Sequence, residues 1–123
     1  MNRHRGRERR LHPRLEETLP VKISANGYDF STTTQNISCV GAYCCISKYI
    51  PPFTKLALKI ALPAVPQKKI EVTVECKGVI VRTEDEPNGG FNIAIFFNEI
   101  AEPQKEKIAH YINRSISLVP SQN

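Results

Sequence analysis

The stretch 69-KIEVTVECKGVIVR-82 decides the fold class. Apolar residues stand at every second position from Ile70 to Cys76, and the residues between them are polar. A period of two is the pattern of a β-strand with one buried face. After Gly78 three apolar residues follow one another. A glycine at such a slip predicts a bulge or bend in a long strand.

Similar runs on both sides extend this interpretation to most of the chain. An Asn-Gly pair in Ala25-Asn26-Gly27 predicts a tight hairpin turn between the first two runs. The turn formers of Asn36–Gly41 predict an interruption before the third run. The predicted strands are Leu19–Ser24, Tyr28–Gln35, Ala42–Ser47, Lys55–Leu62, Lys69–Arg82 and Phe91–Phe97. Six strands at this spacing indicate an antiparallel barrel or sandwich.

The last quarter of the chain changes to a helical period. Ile108, Tyr111 and Ile112 recur at helical spacing, and Ile116 continues that face. Pro103 suits the first turn of a helix. The pattern therefore predicts one amphipathic helix from about Pro103 to about Ser115, which packs on the β-structure.

Length and composition exclude several classes of protein. A chain of 123 residues, with 41% hydrophobic and 24% charged residues, is typical of one globular domain. No apolar run approaches the roughly 20 residues of a membrane span. The N-terminus lacks the apolar segment of a secretory signal. We therefore expect a cytoplasmic protein without membrane insertion.

The chain offers few residues for catalysis or metal binding. Its four cysteines contain no C-x-x-C pair and have no nearby histidine ligands; they are Cys39, Cys44, Cys45 and Cys76. We expect them to act as small apolar residues rather than as a zinc site. No Ser/His/Asp or Cys/His arrangement and no carboxylate pair stands out. The prediction is a protein that is not an enzyme and holds no metal and no cofactor.

The first fourteen residues, MNRHRGRERRLHPR, carry the whole formal charge of +5. They hold six arginines and one acid, and removing them leaves 11 basic and 11 acidic residues. Such asymmetry indicates a cationic arm on a neutral body, with an anionic partner. Guanidinium groups pair with phosphates and with the O6/N7 edge of guanine, and their planes stack on bases.

Two short motifs refine the identity of that partner. Arg10 and Arg14 form an RxxxR motif, and Asn36, Ser38 and Gly41 form a downstream NxSxxG motif. In this order, at these strand boundaries, they resemble the PilZ family of bacterial cyclic di-GMP receptors. The resemblance covers nearly the whole chain. It implies a six-stranded antiparallel β-barrel with a C-terminal α-helix and a flexible Arg-rich N-terminal arm.

The resemblance also implies a ligand site and a division of the chain. Cyclic di-GMP would bind against the second motif, and the RxxxR arm would fold over it. Arg9 directly precedes RxxxR, and an extra arginine there favours an intercalated dimer of the ligand. The expected ligand-binding residues are Arg9, Arg10, Arg14, Asn36, Ser38 and Gly41. We expect an arm over residues 1–14, a barrel domain over 15–118 and a tail over 119–123.

Two departures and two alternatives accompany this interpretation. Ala94 stands where members of the family often have glycine, which would narrow the ligand surface, and Asn36 stands where many have aspartate. One alternative is a small nucleic-acid-binding barrel with a basic arm. That class uses surface aromatics along a basic groove, whereas this body is neutral and lacks Trp. The other is a PilZ-like adaptor that binds no ligand. With no effector domain in the sequence, we expect the signal to pass to a protein partner or through self-association.

Overall fold

Six antiparallel strands form a closed barrel. The computed structural model describes residues 12–63 and 71–118. The strands are β1 Pro20–Ala25, β2 Tyr28–Ser38, β3 Gly41–Ile46, β4 Lys55–Leu62, β5 Val72–Asp85 and β6 Phe91–Glu99. Around the barrel they follow the order β1-β2-β3-β6-β5-β4, and β1 pairs with β4 to close it. The predicted antiparallel barrel is confirmed.

Alternation of apolar and polar residues gives the barrel its core. In β1 and β4 every second side chain is buried and points inward, as the sequence pattern predicts. Asn26 and Gly27 have φ of 53° and 78°, so the Asn-Gly pair forms the β1–β2 turn in the left-handed region. The largest fully buried side chains include Leu19, Ile23, Ile37, Ile60, Ile80, Ile93 and Ile108.

One helix, α1 (Glu102–Leu118), packs against the barrel. Ile108, Tyr111 and Ile112 are buried, as their helical spacing predicts. The Tyr111 hydroxyl donates a hydrogen bond to Glu17, and burial raises the pKa of Tyr111 to about 12. Ile116 was expected on the same face, but its side chain is 46% exposed. Within the described ranges, no helix is long and apolar enough to cross a membrane.

The long strand β5 is irregular where the sequence pattern slips. Its pairing with β6 shifts register between Lys77 and Val79, and again between Ile80 and Arg82. Gly78 lies in the first shift, so the bulge predicted at this glycine is confirmed. The second shift leaves Val81 without a partner on β6, and it is 49% exposed. The strand continues to Asp85 because residues 83–85 still pair with β6.

The second strand extends further than expected. β2 runs to Ser38, whereas turn formers predicted an interruption from Asn36. The strand continues because Ile37 is fully buried and pairs with Ala42 of β3. A register shift between Thr34 and Asn36 absorbs the irregularity. Asn36 and Ser38 therefore belong to a strand, which holds them more rigidly than a loop would.

The four cysteines differ in burial: Cys44 is buried, and Cys39, Cys45 and Cys76 are half-buried. All four are free thiols, and burial raises the pKa of Cys44 to about 12 and of Cys76 to about 11. Buried, protonated thiols of this kind behave as small apolar groups. In the described part of the chain no three metal-binding side chains cluster.

Residues 1–11, with Arg9 and Arg10, lie outside the described residues, so the predicted flexible arm and its boundary stay predictions.

Candidate functional site

Four adjacent strands present two parallel rows of residues on the outer surface of the barrel. The pairs Asn36↔Tyr43, Tyr43↔Ala94 and Ala94↔Arg82 connect β2, β3, β6 and β5. The first row therefore reads Asn36, Tyr43, Ala94, Arg82. The pairs that define the second row are Ser38↔Gly41, Gly41↔Phe96 and Phe96↔Val79.

A row of buried residues lies between the two surface rows. Ile37, Ala42, Ile95 and Ile80 come from the same four strands and point into the core. Since side chains alternate along a strand, this buried row fixes the two flanking rows on the outer face. The candidate site is therefore a surface of fixed geometry, held by the core of the barrel.

Arg14 reaches this surface because the chain after it is pinned to β2. Leu15 and Ile37 exchange two backbone hydrogen bonds, of 2.8 and 3.0 Å. In an antiparallel pair the residue before Leu15 stands level with the residue after Ile37. Arg14 is thereby brought beside Ser38, at the end of the second row. Its side chain is exposed, and no ion pair to another described residue holds it.

The segment around Arg14 has further anchors. Thr34 accepts a hydrogen bond from the Leu19 amide (3.0 Å) and donates one to the Glu17 carbonyl (2.6 Å). On the other side of Arg14, His12 Nδ1 lies 3.4 Å from Cys39 Sγ. Arg14 thus stands between two tethered points, which limits how far its guanidinium can move from the cleft.

The two polar residues of the second motif differ in their contacts. Ser38 is buried, and its hydroxyl accepts a hydrogen bond from the Val40 amide at 3.2 Å. That bond stabilises the β2–β3 turn. Asn36 is half-buried and lines the cleft. Among the described residues its side-chain amide has no partner, so its donors and acceptor remain available to a ligand.

Gly41 is required by the contact between β3 and β6. A Cβ atom at this position would overlap the carbonyl oxygen of Ile95. Next to it, the Phe97 amide donates a hydrogen bond of 2.9 Å to the Val40 carbonyl. The glycine of the motif therefore lets the β2–β3 turn close tightly on β6. Close approach of a ligand is not needed to explain it.

Arg82 and Tyr43 form the far wall of the cleft, and Glu84, which is outside the lining, contacts both of them. Arg82 Nε lies 2.9 Å from Glu84 Oε2, and the Tyr43 hydroxyl donates to Glu84 Oε1 at 3.1 Å. The Arg82 guanidinium also lies 5.9 Å from the centre of the Tyr43 ring. Burial raises the pKa of Tyr43, and the nearby Glu84 raises it further. The phenol therefore remains protonated and serves as a donor.

Together these residues enclose a cleft of about 390 Å³. Its lining includes two arginines, Arg14 and Arg82, and no acidic residue. Val81 and Phe96 add exposed apolar surface, and each is about half exposed, at 49% and 48%. Cations, a free amide and an aromatic surface in one cleft suit an anion that carries planar rings.

The structure therefore brings together part of the predicted site. Arg14, Asn36, Ser38 and Gly41 all line one cleft; Arg9 and Arg10 are not among the described residues. Sequence reasoning missed Tyr43, Arg82 and Phe96. Alternation from Gly41 indicates that Tyr43 faces outward. The pairing of β3 with β6, which brings the other two residues beside the motif, joins strands that are distant in the sequence and has no signal in it.

Comparisons with known proteins agree with this architecture. The family model described as PilZ domain matches residues 8–114. No curated protein sequence matches the chain. The chain is similar in structure to the Bacillus subtilis inhibitor of motility MotI/DgrA, with a TM-score of 0.76 and 21% identity. That match covers 90% of this chain and 53% of MotI/DgrA, so this chain spans about half the length of that protein.

Two further similar structures contain a ligand. The PilZ domain with c-di-GMP of YcgR from Escherichia coli matches with a TM-score of 0.60 and 10% identity, over 89% of this chain and 92% of that one. The Borreliella burgdorferi PlzA protein in complex with c-di-GMP matches with a TM-score of 0.57 and 9% identity, over 98% of this chain and 58% of that one. At these identities the likeness shows the shared fold.

Proposed function

We propose that this chain, which belongs to the PilZ domain family, is a receptor for cyclic di-GMP that passes its signal to a protein partner. The observation that carries the proposal is the convergence of Arg14, Asn36, Ser38 and Gly41 on one cleft. These residues come from two motifs that are 22 positions apart in the sequence. Relatives with the same fold hold c-di-GMP.

The chemistry of the cleft suits the two phosphates and two guanines of this ligand. Arg14 provides a guanidinium for a phosphate or a guanine edge. Asn36 provides an amide donor and acceptor for a base edge. Phe96 and Val81 provide apolar surface beside them, on which a base can rest. The pairing of Leu15 with Ile37 holds Arg14 at the entrance.

The N-terminal arm completes the proposed site. Arg9 and Arg10 precede the tethered residues His12 and Arg14 by only a few positions. We expect the ligand to order this arm, because each guanidinium that contacts a phosphate offsets the conformational entropy lost on ordering. An ordered arm changes the surface of the barrel, and that change is the signal a protein partner would recognise. The mechanism contains no chemical step, in keeping with a receptor that is not an enzyme.

Isothermal titration calorimetry of the purified chain tests the proposal. Cyclic di-GMP should give saturable binding. GMP should bind far more weakly, because it offers one guanine and one phosphate. A short single-stranded oligonucleotide serves as the second control, since a nucleic-acid-binding barrel would prefer it. Preference for the oligonucleotide over cyclic di-GMP would reverse the assignment.

A further inference from the structure

The far wall of the cleft contains a cation that neither motif includes. Arg82 stands in the same row as Asn36, at the opposite end, with Tyr43 and Ala94 between them. Neighbouring strands are about 4.8 Å apart, so the row is on the order of 14 Å wide. Arg82 and Arg14 therefore flank the cleft from opposite sides, and a ligand between them meets a cation at each end.

The backbone of β5 turns Arg82 toward the cleft. The register shift between Ile80 and Arg82 adds one residue to β5, opposite the pair Ile95–Ala94 of β6. Strict alternation from the buried Ile80 would place position 82 inside the barrel. The added residue brings Arg82 to the outer face instead, where its side chain is 56% exposed. Bulges next to binding sites re-aim side chains in this way.

Glu84 and Tyr43 then fix the orientation of the guanidinium. Glu84 contacts the guanidinium at Nε. Its two terminal nitrogens form a fork that a planar acceptor can engage. Tyr43 and Arg82 belong to strands separated by β6. They approach each other because the residue between them, Ala94, has only a methyl side chain. Arg82 thus stands beside Tyr43 in the far wall of the cleft.

We infer that Arg82 recognises a guanine base of the ligand through the O6/N7 edge, and that Glu84 is the positioning residue for this contact. This inference rests on the proposed function, and it adds Arg82 as the residue that recognises a base of the ligand. A guanidinium fork matches the two acceptors O6 and N7 of guanine. Adenine presents an N6 donor beside N7, which a fork of donors does not match. Arg82 therefore selects guanine, while Arg14 remains available for phosphate.

The test is a thermodynamic cycle between Arg82 and the N7 atom. Calorimetry compares cyclic di-GMP with its 7-deazaguanine analogue, which lacks N7 but keeps both phosphates. The wild type should bind the analogue about tenfold more weakly. R82Q should bind cyclic di-GMP about tenfold more weakly than the wild type and should respond little to loss of N7. R82K, which keeps the charge but not the fork, should lose the response to N7 as well.

Two further variants distinguish the positioning of Arg82 by Glu84 from a general effect of lost charge on binding. E84Q should weaken binding less than R82Q, and the double variant should bind no worse than R82Q, because both changes act on one contact. K22Q removes the same charge from β1, outside the cleft, and should change nothing. Circular dichroism confirms that each variant is folded.

The outcomes are distinct. Two results would overturn the assignment of Arg82 to N7. One is an R82Q variant that binds cyclic di-GMP as tightly as the wild type does. The other is a loss of affinity on removal of N7 that is as large in R82Q as in the wild type. The proposed receptor function would stand in that case, provided that the wild type binds cyclic di-GMP. A wild type that binds no cyclic di-GMP would overturn the receptor function and this inference together.

Discussion

Two concave surfaces of the barrel differ more in chemistry than in shape. The groove over β1 and β4 has a volume of about 810 Å³, whereas the cleft over β2, β3, β6 and β5 has about 390 Å³. Three lysines and three acids line the groove: Lys22, Lys59, Lys77, Asp29, Glu75 and Glu99. Two arginines and no acid line the cleft. The charges of the groove balance one another. In the cleft Glu84 pairs with Arg82, but Arg14 has no ion pair with a described residue, so an anion is attracted to the smaller surface.

The two surfaces also differ in the regularity of their strand pairing. β1 pairs with β2 and with β4 without a register shift. Two shifts, Thr34/Asn36 and Ile80/Arg82, adjoin residues that line the cleft, whereas the shift Lys77/Val79 begins at Lys77, which lines the groove. Beside them, Phe53 has a φ of 72° and is 82% exposed. Bulges next to a binding site re-aim side chains, so the two shifts beside the cleft indicate where side chains are turned toward a ligand.

The largest expected effect is loss of ligand binding when the arginines of the RxxxR motif are removed. Arg14→Ala, and equally Arg10→Ala, should weaken cyclic di-GMP binding about tenfold to hundredfold, because a hydrogen bond to a charged group contributes about 1.5–3 kcal/mol. Lys22→Ala in the groove is the matched control and should bind as the wild type does. Calorimetry measures all three. Equal affinity in the Arg14 and Lys22 variants would contradict the claim that the ligand binds to the cleft rather than to the groove.

The next effect concerns stability. Gly41→Ala should lower the free energy of unfolding by about 1–3 kcal/mol, because the added methyl group overlaps the Ile95 carbonyl and forces β3 away from β6. Ser24→Ala, in the groove, should stay within about 0.5 kcal/mol of the wild type. Urea denaturation measures both. An unchanged midpoint for Gly41→Ala would mean that the turn has room, and the glycine would then need a ligand-based explanation.

A smaller effect of opposite sign is expected at Phe53. Its amide donates to the Ile80 carbonyl at 2.6 Å, and the Ile80 amide donates to the Thr54 carbonyl at 3.0 Å. This is the bulge whose first residue is usually a left-handed glycine. Phe53→Gly should therefore raise the free energy of unfolding by about 0.5–1 kcal/mol, after allowance for the greater freedom of glycine in the unfolded chain.

The control at this position keeps the strain. Phe53→Ala removes the ring but retains Cβ, so it should bring no gain in the same denaturation experiment. A gain of equal size in both variants would mean that the exposed ring, rather than the backbone, destabilises the fold.

The smallest expected effect is a factor of two in stoichiometry. The resemblance to the family predicts that an arginine directly before RxxxR favours an intercalated dimer of the ligand. Wild-type protein should then titrate near two ligands per chain, and Arg9→Leu near one. Arg3→Leu, further out on the arm, should leave the value near two. A wild-type value of one, measured with fully active protein, would show that Arg9 recruits no second ligand.

Local patterns account for what the sequence could predict. The alternation of β4, the Asn-Gly turn and the helical spacing of Ile108 and Ile112 are short-range signals, and all three predictions are confirmed. Asn36 was predicted in a turn because asparagine has a high turn propensity, which is a local signal. The pairing with Tyr43 of β3 that keeps it in β2 depends on another strand. The motif itself still identified it as a cleft residue, since a motif depends on residue type and spacing.

The other half of the cleft depends on contacts between distant segments. Arg82 reaches the cleft only because β5 contains a bulge and β6 separates it from β3. The slip in alternation predicted the bulge at Gly78, but it marked neither the second shift between Ile80 and Arg82 nor the non-sequential pairing of β3 with β6. Ala94 was interpreted as a narrowing of the ligand surface. That interpretation stays a prediction. In the structure Ala94 lies between Tyr43 and Arg82, and its small side chain lets the two approach each other.

Hydrogen exchange with and without cyclic di-GMP tests the central claim most directly, because it reports on both surfaces in one experiment. At confirmed saturation, the ligand should slow exchange in residues 2–14, 36–43, 79–84 and 92–96. Exchange in β1 and β4 should stay unchanged. Protection of the groove strands, or equal exchange in the cleft and arm with and without ligand, would contradict the assignment of the cleft as the cyclic di-GMP site.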